Sequence, residues 1–239
     1  MQTGKEIIIR LSYVNKTYHT LAGDFQALND INAEFKAGEF VGIIGKSGAG
    51  KSTLVNMLTG VDSLSSGEVW IEGQPIHSFG EDQMAQWRGR HLGVVYQSFE
   101  LISQLSVLNN VLIPMEFCGL YHPINSRRRA LELLEHVELT EHVHKSPSHV
   151  SGGQQQRVAI ARALANDPGI IVADEPTGNL DSITGEIILR MFEDLVSKGK
   201  IVIMVTHDKS LAARFDHLIR IEDGRFVEDR LQVKGGYDG

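Results

Sequence analysis

The sequence predicts one α/β domain with an inserted helical subdomain, and three observations carry that expectation. FVGII (40–44), GIIVAD (169–174) and KIVIMVTH (200–207) are almost continuously apolar runs of strand length, as expected of strands covered on both faces of a sheet. Helical patterns alternate with these runs at both ends of the chain. Between about Leu101 and Ala165 the pattern is helical without such strands. The expected division is an α/β core of residues 1–97 and 160–239 and a helical subdomain of residues 98–160, within a single domain spanning 1–239.

The elements follow in order. INAEFK (31–36) alternates Ile31, Ala33 and Phe35 with polar neighbours, the period of a half-buried strand. Lys36-Ala37-Gly38 turns the chain into FVGII. STLVNMLTG (52–60) reads as a short helix stopped by Gly60, and GEVWIEG (67–73) as a strand between glycines. SRRRALELLEHVEL (126–139) places Ala130, Leu133, Leu134 and Val137 on one helical face. SGGQQQRVAIARALANDP (151–168) opens on a serine N-cap and is expected to end at Asp167-Pro168. DSITGEIILRMFEDLVSKG (181–199) aligns Ile188, Met191, Phe192 and Leu195 before Gly199 ends it. LIRIEDGRFVED (218–229) is a hairpin turning at Asp223-Gly224.

Composition bounds the function. The chain has 239 residues, a formal net charge of −7 and 42% hydrophobic residues, an ordinary soluble balance. Its acidity argues against a nucleic-acid partner, because phosphate backbones reward a basic face. With Cys118 as the single cysteine, neither an intrachain disulfide nor a cysteine-based metal site is available, which suits a reducing cytosol. MQTGKEIIIRLSYVNK lacks the apolar core of a signal peptide. No apolar run reaches the ~18 residues of a membrane span, so direct membrane insertion is not expected and any work at a bilayer needs spans from another chain.

GKSGAGKS (45–52) matches G-x-x-x-x-G-K-[ST], with an apolar strand before it and a helix after. Gly45, Lys46, Ser47, Gly48, Ala49, Gly50, Lys51, Ser52 and Thr53 form a loop and helix start for phosphate. Small residues let successive N–H groups point inward as an anion nest, and the helix adds its positive end. Lys51 reaches the β- and γ-phosphates and the Ser52 hydroxyl ligates Mg²⁺. The metal's second anchor is Asp174, at the carboxyl end of IIVAD, where open α/β sheets bind ligands. Glu175 follows and can orient, or take a proton from, the water attacking the γ-phosphate. His207 closes the last apolar strand and can hydrogen-bond the same phosphate.

VSGGQQQR (150–157) is a second phosphate reader without a lysine, presenting Ser151, Gly152, Gly153 and Gln154 at a helix start. It stands far along the chain from the first. Two chains arranged head to tail satisfy both: each lysine-bearing loop faces the other chain's Ser-Gly-Gly, and a C2 pair encloses two identical nucleotides.

With these motifs in hand, the chain resembles the nucleotide-binding subunit of an ABC transporter, from Lys5 to about Asp229. GKSGAGKS is its Walker A motif, VSGGQ its signature, DEPTGNLD continues its Walker B strand and VTHD holds its switch histidine. The resemblance implies a P-loop NTPase core, a mostly parallel sheet with flanking helices, plus an N-terminal antiparallel β-subdomain and the helical insertion. It implies ATP and Mg²⁺ and a head-to-tail homodimer. It also implies a separate integral-membrane permease and a cytoplasmic position, peripheral on the inner face of the cell membrane. Tyr18, in KTYH, resembles the aromatic that stacks on adenine, with Phe25 as a rival. Gln97, in VVYQSF, resembles the glutamine that touches Mg²⁺ or the attacking water. Asp181, in GNLD, resembles the aspartate that crosses the dimer seam, and it also suits an N-cap. Val150 stands where leucine is usual, an apolar exchange of small cost.

DEPTGNLD, WRGRHLGVVYQSFELI and TLAGDFQALNDI resemble the macrolide-export and lipoprotein-release group (MacB/LolD-like), which also includes FtsE, a cell-division ATPase. The region from Ser98 to Cys118, with the apolar residues of LISQLSVLNNVLIPMEF, is a candidate for receiving a cytoplasmic helix of the membrane partner, or else core. The rival readings are a soluble ABC ATPase outside transport and a regulatory switch, including an FtsE-like regulator of cell-envelope enzymes. The absence of sustained heptads and the single cassette count against the first, and Glu175 against a switch that binds without hydrolysing.

Overall fold

The computed structural model describes residues 6–21, 23–178 and 180–232. Lys5, Ala22 of TLAGDFQALNDI, Asn179 of DEPTGNLD and the tail from Val233 lie outside the described residues. In chain order the elements are β1 (Ile7–Thr20), β2 (Gly23–Lys36), β3 (Phe40–Ile44), α1 (Lys51–Thr59), β4 (Ser66–Ile71), β5 (Gln74–Pro75), α2 (Glu81–His91) and β6 (Leu92–Val95). Then come α3 (Val107–Phe117), α4 (Pro123–His136), α5 (Gly152–Ala163), β7 (Ile170–Asp174), α6 (Ser182–Ser197), β8 (Ile201–Thr206), β9 (His217–Glu222) and β10 (Arg225–Leu231). Among the described residues no helix is long and apolar enough to cross a membrane.

The chain divides into two compact units, residues 1–80 with 192–239, and residues 81–191. In the first, β2, β1, β4 and β5 pair antiparallel in that order. Beside this antiparallel sheet, β3 lies parallel to both β8 and β9, and β9 pairs antiparallel with β10. All residues of β3 and β8 are buried, which explains why no polar alternation marks them in the sequence. Phe40 anchors this core: its ring meets Phe215 edge-on at 5.0 Å and Phe192 at 6.4 Å. Ile44 is in register with Thr206, so the loops after β3 and β8 leave the sheet at the same end. That end carries Gly45–Ser52 and His207.

In the second unit β6 and β7 form a parallel pair, with Val95 in register with Ala173. Tyr96-Gln97 and Asp174-Glu175 therefore leave their pair at one common end. Helices α3, α4 and α5 bury a core of Val107, Leu108, Val111, Leu134 and Val158. Part of LISQLSVLNNVLIPMEF is thus core, while Phe117 is 79% exposed.

One helix end departs from the sequence expectation. α5 stops at Ala163, a turn before Asp167-Pro168. The Arg129 guanidinium donates to the carbonyls of Leu164 and Ala165, both at 3.2 Å, and these groups need no further helical turn to be satisfied.

Candidate functional site

The loop after β3 is shaped as an anion cradle. Gly48 and Gly50 have φ of 79° and 103°, the left-handed region that disfavours a side chain. A Cβ on Gly50 would lie 2.5 Å from the Ala27 carbonyl oxygen. The loop is pinned there: Gly224 N–H donates to Ala49 O at 3.0 Å, and Asn29 N–H donates to Gly224 O at 2.8 Å. Lys51 is only 8% exposed, and its ammonium donates to the carbonyls of Gly45 (3.0 Å) and Lys46 (2.9 Å). The cation is thereby curled over its own loop. Gly50, the N-cap of α1, supplies no side-chain cap bond, and no acidic residue sits in the first turn to oppose the helix dipole. An anion is the partner such a helix end suits best. Ser52 is exposed at this end. Lys46, Ser47, Gly48 and Ala49 line a pocket beside the loop together with Glu222 and Asp223.

Tyr18 stands near this cradle, at the far end of β1. Its hydroxyl donates to Asp62 Oδ2 at 3.0 Å and also bonds the Thr53 side chain in the first turn of α1. Burial, and next the Asp62 hydrogen bond, raise the phenol above its ordinary pKa. Phe25 is its direct cross-strand partner and is 56% exposed, so the two aromatic candidates are neighbours. His207 is exposed just beyond β8. It is followed by Asp208, whose carboxylate accepts from Ser210 N–H (2.8 Å) and Oγ (2.7 Å) and is held below its ordinary pKa chiefly by that residue.

In the second unit Asp174 ends β7, and Glu175 takes a left-handed φ of 49°. Such a backbone costs a non-glycine residue about 1–3 kcal/mol, a strain typical of functional positions. Glu175 O accepts from Gly178 N–H at 3.1 Å, closing a turn. A Cβ on Gly178 would lie 3.4 Å from Gln97 Nε2 and 3.7 Å from Glu175 Cβ, so Gln97, Glu175 and the turn are brought together.

Ser151 caps α5 with a reciprocal capping box. Its hydroxyl oxygen accepts from Gln154 N–H at 3.3 Å, and Gln154 Oε1 accepts from Ser151 N–H at 2.9 Å. The Gln154 amide nitrogen is also 2.8 Å from His142 Nε2. Gln154 thus shapes the tip, while the Ser151 hydroxyl keeps a proton to donate and Gly152 is exposed beside it. Gly153 is screened by Thr184, which would lie 3.0 Å from an added Cβ. Asp181 is the N-cap of α6: its carboxylate accepts from Thr184 N–H (3.0 Å), Thr184 Oγ1 (2.8 Å) and Ile183 N–H (3.1 Å). These bonds, Thr184 first, lower its pKa.

Three residues that the motifs do not include shape these loops. Lys16 and Asp62 hold Tyr18. Arg162 donates from Nη2 to Phe99 O at 2.7 Å and from Nη1 to Glu100 O. Phe99 and Glu100 both have positive φ, 61° and 49°, so one half-buried guanidinium fastens the strained turn that follows Gln97. An arginine among the apolar residues of VAIARA was the available signal. Leu92, Ile113, Pro114, Phe117 and Cys118 line a largely apolar groove of about 470 Å³ with Arg88 at its side.

No three His, Cys, Asp or Glu side chains cluster as a metal cage among the described residues. Mg²⁺ calls for no such cage: it takes one or two protein oxygens, with water and substrate phosphates for the rest, and Ser52 and Asp174 are oxygen donors of that kind.

Residues 28–178 match the family model described as ABC transporter. An uncharacterised ABC transporter ATP-binding protein of Thermotoga maritima is 47% identical over 231 residues, covering 95% of this chain and 98% of that protein. The macrolide export ATP-binding/permease protein MacB of Bartonella henselae is 42% identical over 226 residues. That match covers 95% of this chain but 33% of the relative, so the chain spans about a third of that protein's length. Among solved structures, a dimeric ATP-binding cassette in a post-hydrolysis state with ADP and Pi is 40% identical, with a TM-score of 0.89 over 95% of this chain and all of that one. A further dimeric bacterial ABC transporter cassette gives 41% identity and a TM-score of 0.90 over the same shares.

Proposed function

Since the chain belongs to the ABC transporter family, as one of its ATP-hydrolysing cassettes, we propose that two copies close head to tail over two Mg-ATP and drive movement in a separate membrane partner. The observation that carries this reading is the pair of unlike helix ends. One is α1, uncapped by any side chain and furnished with a buried lysine; the other is α5, capped by its own serine and with no basic residue in its first turn. The first suits a permanent phosphate cradle. The second suits a reader that docks when a phosphate arrives and leaves when it goes.

In the proposed cycle Lys51 and the loop N–H groups grip the β- and γ-phosphates, and Tyr18 stacks on the base. Ser52 and Asp174, with Gln97, hold Mg²⁺, which neutralises phosphate charge when bound. Ser151, Gly152 and Gly153 of the partner copy contact the γ-phosphate, with Gln154 shaping the tip, and Asp181 borders the seam. Glu175 orients the attacking water, Gln97 assists, and His207 contacts the γ-phosphate. Electrostatic clamping supplies most of the rate. Loss of the γ-phosphate removes the contact in trans and the pair opens.

The apolar groove at Ile113, Phe117 and Cys118 suits a short amphipathic helix of the permease. Placement on the inner face of the membrane follows from such a partner. Export or lipoprotein release of the MacB/LolD type is supported by the similarity to MacB-named relatives. The test is Glu175→Gln with ATP: water activation is lost while binding survives, so light scattering after gel filtration should give a dimer of twice the 26.4 kDa chain. A monomer at saturating ATP contradicts the reading.

A further inference from the structure

Lys16 and Tyr18 share one face of β1, and Asp62 lies just past α1. Lys16 is 8% exposed, and its ammonium donates to Asp62 Oδ1 at 2.8 Å and to Ser63 O at 2.6 Å. The same ammonium stands 4.7 Å from the centroid of the Tyr18 ring. One face of that ring is therefore covered by a cation, which leaves the other for a stacking partner. The Tyr18 hydroxyl is held by Asp62 on one side and by Thr53, on the phosphate-binding helix, on the other. Burial pushes the Asp62 carboxyl up, but hydrogen bonds from Lys16, Tyr18 and Ser63 N–H outweigh it and bring it below its ordinary pKa. Asp62 is then an ionised acceptor with one oxygen for each of the two side chains.

We propose that Asp62 and Lys16 are positioning residues for nucleotide binding: they lock the Tyr18 ring at a fixed orientation and distance from the phosphate cradle, so that the purine is stacked in register with its phosphates. The proposal rests on the reading of Tyr18 as the base-stacking aromatic. A mere tie between β1 and the loop after α1 would act on all ligands alike. Positioning acts only on ligands that carry a base.

The experiment measures binding of ATP and of inorganic tripolyphosphate by calorimetry. Tyr18→Ala should weaken ATP binding about ten-fold or more, the usual worth of a base–aromatic stack. Asp62→Ala and Tyr18→Phe should each weaken ATP about five-fold, a net hydrogen bond's worth. The Asp62→Ala, Tyr18→Phe double variant should be weakened by less than the sum of the two single ones, because both remove the bond between these side chains. Tripolyphosphate affinity should stay within about two-fold throughout, since no stack is involved. Lys16→Met, which keeps the apolar stem, should reproduce the pattern if Asp62→Ala folds poorly. Equal weakening of both ligands by Asp62→Ala and Lys16→Met overturns the proposal in favour of a structural tie. Unchanged ATP binding in those variants, with Tyr18→Ala weakened, overturns it while sparing the reading of Tyr18. Unchanged ATP binding in Tyr18→Ala overturns both.

Discussion

Replacing Gly50 with alanine should damage the phosphate cradle far more than the same change at Gly48, two residues away. Both have left-handed backbones, with φ of 103° and 79°, and either alanine pays about 1–2 kcal/mol for that. At Gly48 nothing lies within 4 Å of the new methyl group, so the cost stops there. At Gly50 the methyl would come within 2.5 Å of the Ala27 carbonyl oxygen and 3.5 Å of Gly224 Cα, both backbone. Relief requires the loop to move away from Ala27, which stretches the bond from Gly224 N–H to Ala49 O or, if Gly224 follows the loop, the bond from Asn29 N–H to Gly224 O. At about 1 kcal/mol for the bond lost, the total rises to about 2–3 kcal/mol. Urea unfolding of both variants measures the difference, and tripolyphosphate calorimetry shows whether the cradle survives. The expected result is a modest loss for Gly48→Ala, and for Gly50→Ala a larger loss together with abolished anion binding. Equal stabilities would refute the claim that the cradle is wedged against β2 and the β9–β10 turn.

Lys51→Ala should remove measurable ATP binding by calorimetry; unchanged affinity would refute the role given to its buried ammonium. Arg162→Met should leave the fold largely intact but release the turn at Phe99 and Glu100, read as faster amide hydrogen exchange over residues 97–101; unchanged exchange counts against the fastening role. His217 gives a pH prediction. Burial lowers its pKa, but the Glu39 carboxylate, 3.7 Å from Nδ1, and the Asp229 carboxylate, hydrogen-bonded to Nε2 at 2.5 Å, outweigh that and raise it above its ordinary value. A raised folded pKa means stability that is complete below about 6.5, the unfolded value, and lost as pH climbs through the folded one. The urea midpoint should therefore fall between pH 6 and 9 more steeply than in His217→Gln; parallel profiles would show that the ion pairs do not matter.

What could be read from the sequence followed from local causes. β3, β7 and β8 were legible because strands covered on both faces must be continuously apolar. The Walker A stretch was legible because close approach of backbone to phosphate tolerates only small residues. β2 runs from Gly23, yet alternation shows only from Ile31: Asp30 has a φ of 55°, and register shifts near it move the pattern out of phase. α2 escaped notice because only Met84 and Trp87 of its eleven residues are buried; its acidic first turn and basic last turn were the usable signal. The anchors of Tyr18 and of the Phe99–Glu100 turn were hidden for another reason. Asp62 and Arg162 lie 44 and 63 positions away from the groups they hold, and no local period encodes such a pairing.

The central claim is that each nucleotide is held by the cradle of one copy and the α5 tip of the other. A mixed dimer tests it most directly, built on Glu175→Gln so that ATP is retained. One copy carries Lys51→Ala. The other carries Ser151→Asp, which preserves an N-cap but sets a negative charge where phosphate would dock. Holding in trans places both defects in one site and leaves the other intact, so the mixed dimer should retain one ATP while either variant alone retains none. Holding within a single copy would damage both sites, and a mixed dimer with no retained ATP would contradict the account.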